Sequence, residues 1–235
     1  MSHPALSFQD VSVRHEPGDA PAVANVSFSV APGERIALLG LNGSGKTTLL
    51  MGAAGLVAHD GSILIDGVEL TRHTLAEARG KLGFLFNVPE DQLLFPRVID
   101  DVAFGLLRKG VSHSDATARA LEALEGLGIT HLAQSPPHHL SHGQSQRVAL
   151  AGALVTSPPV LLLDEPSAAL DPPSRRSLAK LLSSLPAAVV VATHDVPFAR
   201  SVCTRFVVLD QGRVLFDGAD PTAVLKRWEL AAVRL

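Results

Sequence analysis

A glycine-rich octet restricts the fold of this chain more than any other sequence feature. Residues 40–47 are Gly-Leu-Asn-Gly-Ser-Gly-Lys-Thr, which matches the pattern G-x-x-x-x-G-K-[ST]. The octet follows an apolar run at residues 36–39, typical of a strand buried on both faces, and a helix is expected from about Lys46. A strand, a glycine-rich loop and a helix in this order predict an α/β fold with a phosphate-binding loop.

The residue types of the octet suit the chemistry of bound phosphates. Phosphates need converging N–H donors and close approach of the backbone, which glycines permit. Lys46 supplies positive charge to the β- and γ-phosphates, and the Thr47 hydroxyl suits Mg²⁺. The competing interpretation is a glycine-rich turn with a surface lysine. The predicted nucleotide-binding residues of this Walker A motif are Gly40, Asn42, Gly43, Ser44, Gly45, Lys46, Thr47 and Thr48.

Short apolar runs recur at residues 160–163, 188–192 and 206–209, with helical segments between them. Strands that alternate with helices predict a parallel sheet with helices on both faces. Residues 5–30 have strand patterns and predict an antiparallel β layer. From residue 100 to about 157 the pattern is helical. Ser112 and Asp115 predict a capping box for a helix that runs to Leu127. The predicted apolar face of this helix is Leu121, Leu124 and Leu127.

These patterns define one α/β domain over residues 1–235. We expect a P-loop NTPase core with a parallel sheet, an N-terminal antiparallel β layer and an inserted helical subdomain. The core would comprise about 1–87 and 158–235, and the helical subdomain about 88–157.

Two other predicted strands end in residues that carry chemistry. The run at 160–163 ends in Asp164 and Glu165, and the run at 189–192 is followed by Thr193 and His194. The carboxyl ends of strands face the ligand crevice of an open α/β sheet. Asp164 is therefore a candidate Mg²⁺ ligand, Glu165 a candidate general base for an attacking water, and His194 a candidate contact to the γ-phosphate. The competing interpretations are a helix cap before Pro166 and a surface histidine.

Composition excludes several classes of protein. Lys and Arg number 20 against 23 for Asp and Glu, and this balance argues against a dedicated nucleic-acid binder. The single cysteine excludes an internal disulfide and fits a reducing compartment. The apolar run without Asp, Glu, Lys or Arg at 148–163 contains two prolines and is shorter than the ~20 residues of a membrane-spanning helix. Residues 1–10 have no basic region followed by an apolar one, so we expect no secretory signal. We expect a soluble, cytoplasmic chain that reaches a membrane only through a partner.

A third motif gives the chain a family resemblance. Residues 140–147 are Leu-Ser-His-Gly-Gln-Ser-Gln-Arg and lie just before the strand that ends in Asp164 and Glu165. With Ser-Ala-Ala-Leu-Asp at 167–171, this arrangement resembles the ATP-binding cassette (ABC) ATPases over nearly the whole chain. The resemblance implies Walker B carboxylates at Asp164 and Glu165. It also implies ATP hydrolysis in a head-to-tail dimer, in which each ATP lies between one phosphate loop and the other subunit's Ser141, Gly143 and Gln144.

A narrower resemblance comes from Asn-Val-Pro-Glu-Asp-Gln-Leu-Leu at 87–94, followed by Asp-Val-Ala-Phe-Gly at 101–105. These segments are similar to the ATPases of energy-coupling-factor and cobalt- or nickel-type importers. That resemblance implies a transmembrane subunit that docks near residues 88–96, a substrate-capture membrane protein, and a peripheral position on the cytoplasmic side of the membrane. It leaves open whether the second ATPase subunit is identical to the first.

The chain departs from the family pattern at three positions. Asn87 stands where the family usually has Gln, which contacts Mg²⁺ and the attacking water, so its reach is one methylene shorter. His142 replaces a signature glycine, and we expect its ring to point away from the dimer seam. His15 stands where the family usually stacks adenine on Tyr, and an imidazole also stacks, with less area.

Two other functions compete with transport. The first is a soluble ABC ATPase that acts in translation or DNA maintenance, although such proteins usually fuse two cassettes or carry long basic or coiled-coil insertions. The second is metal binding by the histidines, of which only His138, His139 and His142 cluster. That cluster adjoins the signature segment, which favours a surface or interface role.

Overall fold

The computed structural model describes residues 3–14, 19–168 and 170–226. Its strands are β1 (Leu6–Val13), β2 (Val23–Val30), β3 (Arg35–Leu39), β4 (His59–Ile65), β5 (Val68–Glu69), β6 (Leu82–Leu85), β7 (Val160–Asp164), β8 (Ala188–Thr193), β9 (Arg205–Asp210) and β10 (Arg213–Gly218). Its α-helices are α1 (Lys46–Ala53), α2 (Leu75–Gly80), α3 (Val98–Arg108), α4 (His113–Gly126), α5 (His142–Leu154), α6 (Pro172–Ser184) and α7 (Val196–Val202). Short 3₁₀ helices cover Pro89–Gln92, Thr130–Leu132 and Pro137–His139. Within these ranges, no helix has the length and apolarity needed to cross a membrane.

Two sheets form the framework. The larger has the order β10-β9-β3-β8-β7-β6 and is parallel except for β10, which pairs antiparallel with β9. The smaller is antiparallel, with the order β2-β1-β4-β5. The predicted parallel sheet and antiparallel N-terminal layer are therefore confirmed. The sequence patterns did not reveal β5, β10 or α2.

Successive side chains of the central strands enter two different cores. In β3, Ile36 and Leu38 pack with α1 and the antiparallel sheet, whereas Ala37 and Leu39 pack against α5, α6 and α7. Strands β7 and β8 alternate in the same way and are buried along their whole length. Burial on both faces explains why these strands are continuous apolar runs and not alternating ones. It also fixes the positions of the loops at their ends.

Helices α3, α4 and α5 share a third core. Ser112 caps α4 as predicted, since its hydroxyl accepts a hydrogen bond from the Asp115 N–H. The Asp115 carboxylate bonds the Ser112 hydroxyl and not its N–H, so the capping box is not reciprocal. The predicted apolar face was partly wrong, because Leu121 is exposed. The face that packs is Ala116, Ala120 and Leu124, four residues apart, and the two alanines allow neighbouring helices to approach closely.

Candidate nucleotide-binding and hydrolysis site

The predicted site residues follow strands that end at one edge of the parallel sheet. Leu39 of β3 is in register with Thr193 of β8, and Leu85 of β6 is in register with Leu163 of β7. The carboxyl ends of these strands therefore lie side by side, where an open α/β sheet binds its ligands. The predicted residues at these strand ends or shortly after them are Gly40, Asn87, Asp164, Glu165 and His194.

The loop between β3 and α1 requires its glycines. Gly45 has φ 99°, and a Cβ atom there would lie 2.8 Å from the Ala22 carbonyl oxygen. A Cβ atom on Gly40 would lie 2.2 Å from the Ser44 hydroxyl. Only glycine combines this backbone conformation with such close packing. The Ser44 hydroxyl is buried and has no partner among the described residues, as expected of a group that faces a ligand.

Lys46, the first residue of α1, points back over the loop that precedes it. Its Nζ donates to the carbonyl oxygens of Gly40 at 2.8 Å and Leu41 at 3.3 Å, and the residue is only 6% exposed. Burial lowers the pKa of Lys46, and the charges of Glu165 and Asp164 oppose that shift. The loop therefore holds a largely desolvated cation where the N-terminus of α1 also favours negative charge.

Thr47 and Asp164 bring three oxygen atoms together. The Thr47 hydroxyl donates to Asp164 Oδ2 at 2.7 Å, while Oδ1 is buried with no partner among the described residues. Burial raises the pKa of Asp164, the Thr47 hydrogen bond lowers it, and Glu165 adds to the rise. A hydroxyl and an unpartnered carboxylate oxygen are ligands that Mg²⁺ prefers, so the residues present fit that ion.

Glu165 follows β7 and is held by β8. Its N–H donates to the Ala192 carbonyl at 2.8 Å, and Oε2 accepts from the Thr193 hydroxyl at 2.8 Å. Oε1 accepts from His194 Nδ1 at 2.8 Å and from the His194 N–H at 3.2 Å. Glu165 also has φ 49°, a left-handed conformation that is uncommon outside glycine. The carboxylate is thus positioned by its backbone and by both oxygens.

The signature segment begins a helix. Ser141 caps α5, and Ser141 and Gln144 form a reciprocal capping box. The Ser141 hydroxyl accepts from the Gln144 N–H at 3.4 Å, and Gln144 Oε1 accepts from the Ser141 N–H at 2.8 Å. Gly143 lies in the first turn of α5. The segment therefore offers a helix N-terminus with an exposed Ser141, which is compatible with an anion site.

The three departures have different outcomes. Asn87 is exposed, and its side chain makes no hydrogen bond within the described residues. Gln92 closes the same loop, because its amide bonds the Phe84 carbonyl at 3.0 Å and the Phe86 N–H at 3.3 Å. The His142 ring contacts Glu90, with Nδ1 2.9 Å from Oε1. His15 lies outside the described residues.

Sequence reasoning missed the side chains that support the catalytic candidates. Thr193 fixes one Glu165 oxygen, and buried Gln146 donates to the Glu165 carbonyl at 3.3 Å. Asp195 accepts from the Ser167 hydroxyl at 3.2 Å and pairs with Arg175 at 3.1 Å, which ties the loop after Glu165 to α7. The signal for Thr193 was its place beside His194 at a strand end. The other contacts depend on the register of strands that are far apart in sequence.

The histidine cluster gains no further metal ligands in the structure. The rings of His138 and His139 lie edge to face, with centroids 4.4 Å apart. In the described part of the chain, no group of three or more His, Cys, Asp or Glu side chains is arranged to hold a metal ion.

Comparison with known proteins places this geometry in a family. The family model for ABC transporters matches residues 23–168. The energy-coupling factor transporter ATP-binding protein EcfA of Methanosphaera stadtmanae is 39% identical, over 88% of this chain and 76% of its own. CbiO1 of Clostridium perfringens, described as part of the ABC transporter complex cbiONQ, has a TM-score of 0.80 at 31% identity and covers 98% of this chain and 94% of its own.

A further solved structure shows a similar cassette after hydrolysis. The ATP-binding cassette MJ0796, solved as a dimer in a post-hydrolysis state with ADP and phosphate, has a TM-score of 0.83 at 31% identity and covers 91% of this chain and 98% of its own. The phosphate loop, the paired carboxylates and the capped signature helix are thus found in a chain with ATP-hydrolysing relatives. This chain belongs to the ABC transporter family and is the ATP-binding, ATP-hydrolysing component of such a transporter.

Proposed function

We propose that this ATPase is the energy-coupling subunit of an importer of the energy-coupling-factor type, which takes up a vitamin or a cobalt or nickel ion. The observation that carries the proposal is a built, partly apolar loop at residues 87–96, between β6 and α3. The likeness to EcfA and to CbiO1 supports the same assignment. A transmembrane subunit would dock on this loop, and a separate membrane protein would capture the substrate.

The loop is held by the residues that make its sequence distinctive. Asp101 Oδ1 accepts from the Leu94 N–H at 2.7 Å and from the Phe95 N–H at 3.1 Å. Phe104, which is one turn after Asp101 in α3, packs against Phe95 with the ring centroids 5.0 Å apart. Gln92 closes the other end of the loop on β6. The two sequence segments therefore act as one structural unit.

This unit exposes apolar side chains. Leu94 is 80% exposed and Val88 47%, and on the adjacent α3 Phe104 and Leu107 are also exposed. Single exposed leucines need no explanation, but a concentration on one loop and the next helix favours an interface. A partner that spans a membrane would present an apolar surface of matching character.

The nucleotide site supplies the driving reaction in this proposal. Lys46 and the backbone N–H groups of the phosphate loop bind the ATP phosphates. A water oxygen attacks the γ-phosphorus, the bond from that phosphorus to the β–γ bridging oxygen breaks, and Glu165 accepts the proton of the water. His194 donates to Glu165 through Nδ1, so the ring would contact the γ-phosphate through Nε2, which donates as well only in the imidazolium form.

Magnesium belongs to the same proposed site. Thr47 and Asp164 would hold it, because the unpartnered Oδ1 of Asp164 and the Thr47 hydroxyl are its preferred kind of ligand. When bound, Mg²⁺ neutralises charge on the β- and γ-phosphates. Asn87 would contact the ion and the attacking water through its amide, which is exposed and makes no hydrogen bond within the described residues.

The arrangement calls for a second subunit. We place the helical subdomain at about 88–157, and the signature segment lies in it. In a head-to-tail dimer, Ser141, Gly143 and Gln144 of this subdomain would face ATP bound to the partner's phosphate loop. The dimeric MJ0796 structure supports this pairing. Both halves of a site are present in this chain, and therefore a homodimer suffices, although a related ATPase subunit could replace one copy.

Co-purification of membrane proteins with the tagged chain tests the proposal. Expressed in its source organism and extracted from membranes in detergent, the chain should bring down an integral membrane subunit. Leu94→Glu should reduce that recovery at least ~tenfold, because a charge is introduced into an apolar contact. The ATPase activity of the isolated chain should remain unchanged.

A matched control is Leu121→Glu, which changes an exposed leucine on α4 away from the loop and should leave recovery intact. Recovery with ribosomes or DNA, and none with a membrane protein, would replace the proposal by the soluble alternative. If a membrane subunit is recovered, uptake of labelled cobalt, nickel and vitamins in a strain that lacks the chain would identify the cargo.

A further inference from the structure

A side-chain contact joins the proposed docking loop, residues 88–96, to the first residue of the signature helix. His142 Nδ1 lies 2.9 Å from Glu90 Oε1, although the two residues are 52 positions apart in sequence. Glu90 belongs to the 3₁₀ helix Pro89–Gln92, and His142 is the first residue of α5. Both side chains are about half exposed, at 45% and 46%.

Both ends of this contact are anchored. On one side, Pro89 is buried and Gln92 bonds the end of β6, so Glu90 cannot move without displacing the loop. On the other side, His142 lies between the two members of the Ser141–Gln144 capping box. A displacement of the loop would therefore pass to His142, the residue that follows the cap of α5.

The contact between Glu90 and His142 requires only that Nδ1 of His142 carries a proton. Glu90 accepts a hydrogen bond from a protonated Nδ1, and both the Nδ1–H neutral tautomer and the imidazolium carry that proton. The bond can therefore form in either charge state of the ring. An amide oxygen at position 90 would serve as acceptor equally well, whereas glycine at position 142, usual in this family, could not make the bond.

We propose that the Glu90–His142 pair is a strut that orients the signature helix from the docking loop. His142 acts as a positioning residue: it holds the N-terminus of α5 so that Ser141 is presented to the ATP of a second subunit. The strut rests on the proposed function, in which loop 88–96 docks the membrane partner and Ser141 contacts ATP across a dimer. Through it, docking and dimer closure would be coupled within one chain.

The strut is tested by measuring dimer formation and ATP binding in two separate experiments. In a Glu165→Gln background, the ATP concentration for half-maximal dimerisation is measured by analytical ultracentrifugation, and binding of a fluorescent ATP analogue to the monomer is measured in parallel. His142→Ala and Glu90→Ala should each raise the ATP concentration needed for dimerisation by about threefold to tenfold, the range of one lost hydrogen bond. The double variant should be no worse than either single one, because the two changes remove the same contact.

Two further variants distinguish the strut from a general structural effect. Glu90→Gln should restore near-parental dimerisation, because the amide oxygen still accepts from Nδ1. His113→Ala should have no effect, because His113 occupies the same first position of helix α4 without such a contact to the loop.

The outcomes separate the strut from the proposed function. Unchanged dimerisation in the alanine variants, or additive effects in the double variant, would overturn the strut and leave the proposed function intact. A Glu165→Gln parent that binds the analogue but never dimerises with ATP, either with itself or with an ATPase subunit that co-purifies with it, would contradict the proposed function, and the strut with it.

Discussion

The Glu165 carboxylate accepts two hydrogen bonds from His194, one from Nδ1 at 2.8 Å and one from the backbone N–H at 3.2 Å. The first fixes the ring and the second fixes the start of the loop that follows β8. Thr193 satisfies the other carboxylate oxygen. The candidate base and the candidate phosphate contact thus form one unit, and substitutions of either should alter the same step.

Replacing Glu165 by Gln removes the proton acceptor and keeps the size of the side chain. We expect ATP binding to persist, turnover to fall by roughly 10²- to 10⁴-fold, and an ATP-bound dimer to accumulate. Phosphate release and size-exclusion chromatography with ATP measure these effects. Glu125→Gln on α4 is the control, and hydrolysis at the parental rate in the Glu165 variant would remove this residue from catalysis.

Asn87→Gln restores the side-chain length that is usual in the family. Because Asn87 is exposed and makes no hydrogen bond within the described residues, the longer amide should be accommodated. We expect steady-state ATPase activity to be preserved or raised. A loss of about tenfold or more would show that the loop is built around asparagine, and Asn87→Ala would then tell whether the amide is needed at all.

Gly45→Ala should weaken the fold as well as the site. Its φ of 99° is strained for any side chain, and the new Cβ atom would lie 2.8 Å from the Ala22 carbonyl oxygen. We expect the free energy of unfolding to drop by about 2 kcal/mol or more, as measured in urea, and nucleotide affinity to fall. Gly126→Ala is the matched control: nothing lies within 4 Å of its Cβ position at the end of α4, so stability should hold or rise.

The stability of the docking loop should depend on the side chain of Asp101. Asp101→Ala removes the partner of the Leu94 and Phe95 N–H groups and should lower the free energy of unfolding by about 2 kcal/mol. Asp101→Asn keeps one acceptor oxygen and should lose less. Recovery of the membrane partner should follow the same order, whereas equal losses in both variants would show that the carboxylate charge is what the loop requires.

Asp101 should also make the stability of the wild type depend on pH, in a direction that follows from its pKa. Burial raises the pKa of Asp101, and the two backbone hydrogen bonds oppose the shift without cancelling it. The folded chain therefore binds this proton more tightly than the unfolded chain does. Stability from this group is present below the unfolded pKa and falls as pH rises through the folded pKa. Unfolding in urea between pH 4 and 7 should show the wild type gaining on Asp101→Asn as pH is lowered, and a constant difference would contradict the assignment.

The parts of the site that sequence predicts are those built from consecutive residues. The phosphate loop, the Asp164–Glu165 pair and His194 each end a strand that is buried on both faces, and such strands leave an unmistakable apolar run. The parallel order of those strands then brings their ends together. The fold class follows from the same runs, since strands that alternate with helices allow few other arrangements.

Contacts between segments that are distant in sequence could not be predicted from the sequence. Nothing in the sequence near Glu90 indicates His142, and the Gln146 bond to the Glu165 carbonyl depends on how α5 lies against β7. The α4 face was misjudged at Leu121 because leucines outweigh alanines in an apolar pattern, while close helix packing selects the alanines. The family resemblance predicts Ser141 as a contact to ATP on a second subunit, and within this chain Ser141 caps α5.

The attachment of Glu165 to β8 has a consequence for how the site forms. The Ala192 carbonyl accepts the Glu165 N–H, the Thr193 hydroxyl donates to one carboxylate oxygen and His194 donates to the other. Three consecutive residues therefore hold Glu165. A slip of β7 against β8 by one residue would break all three attachments at once. Correct strand pairing and assembly of the hydrolytic centre are therefore a single folding event, and recovery of activity on refolding should keep pace with recovery of the sheet.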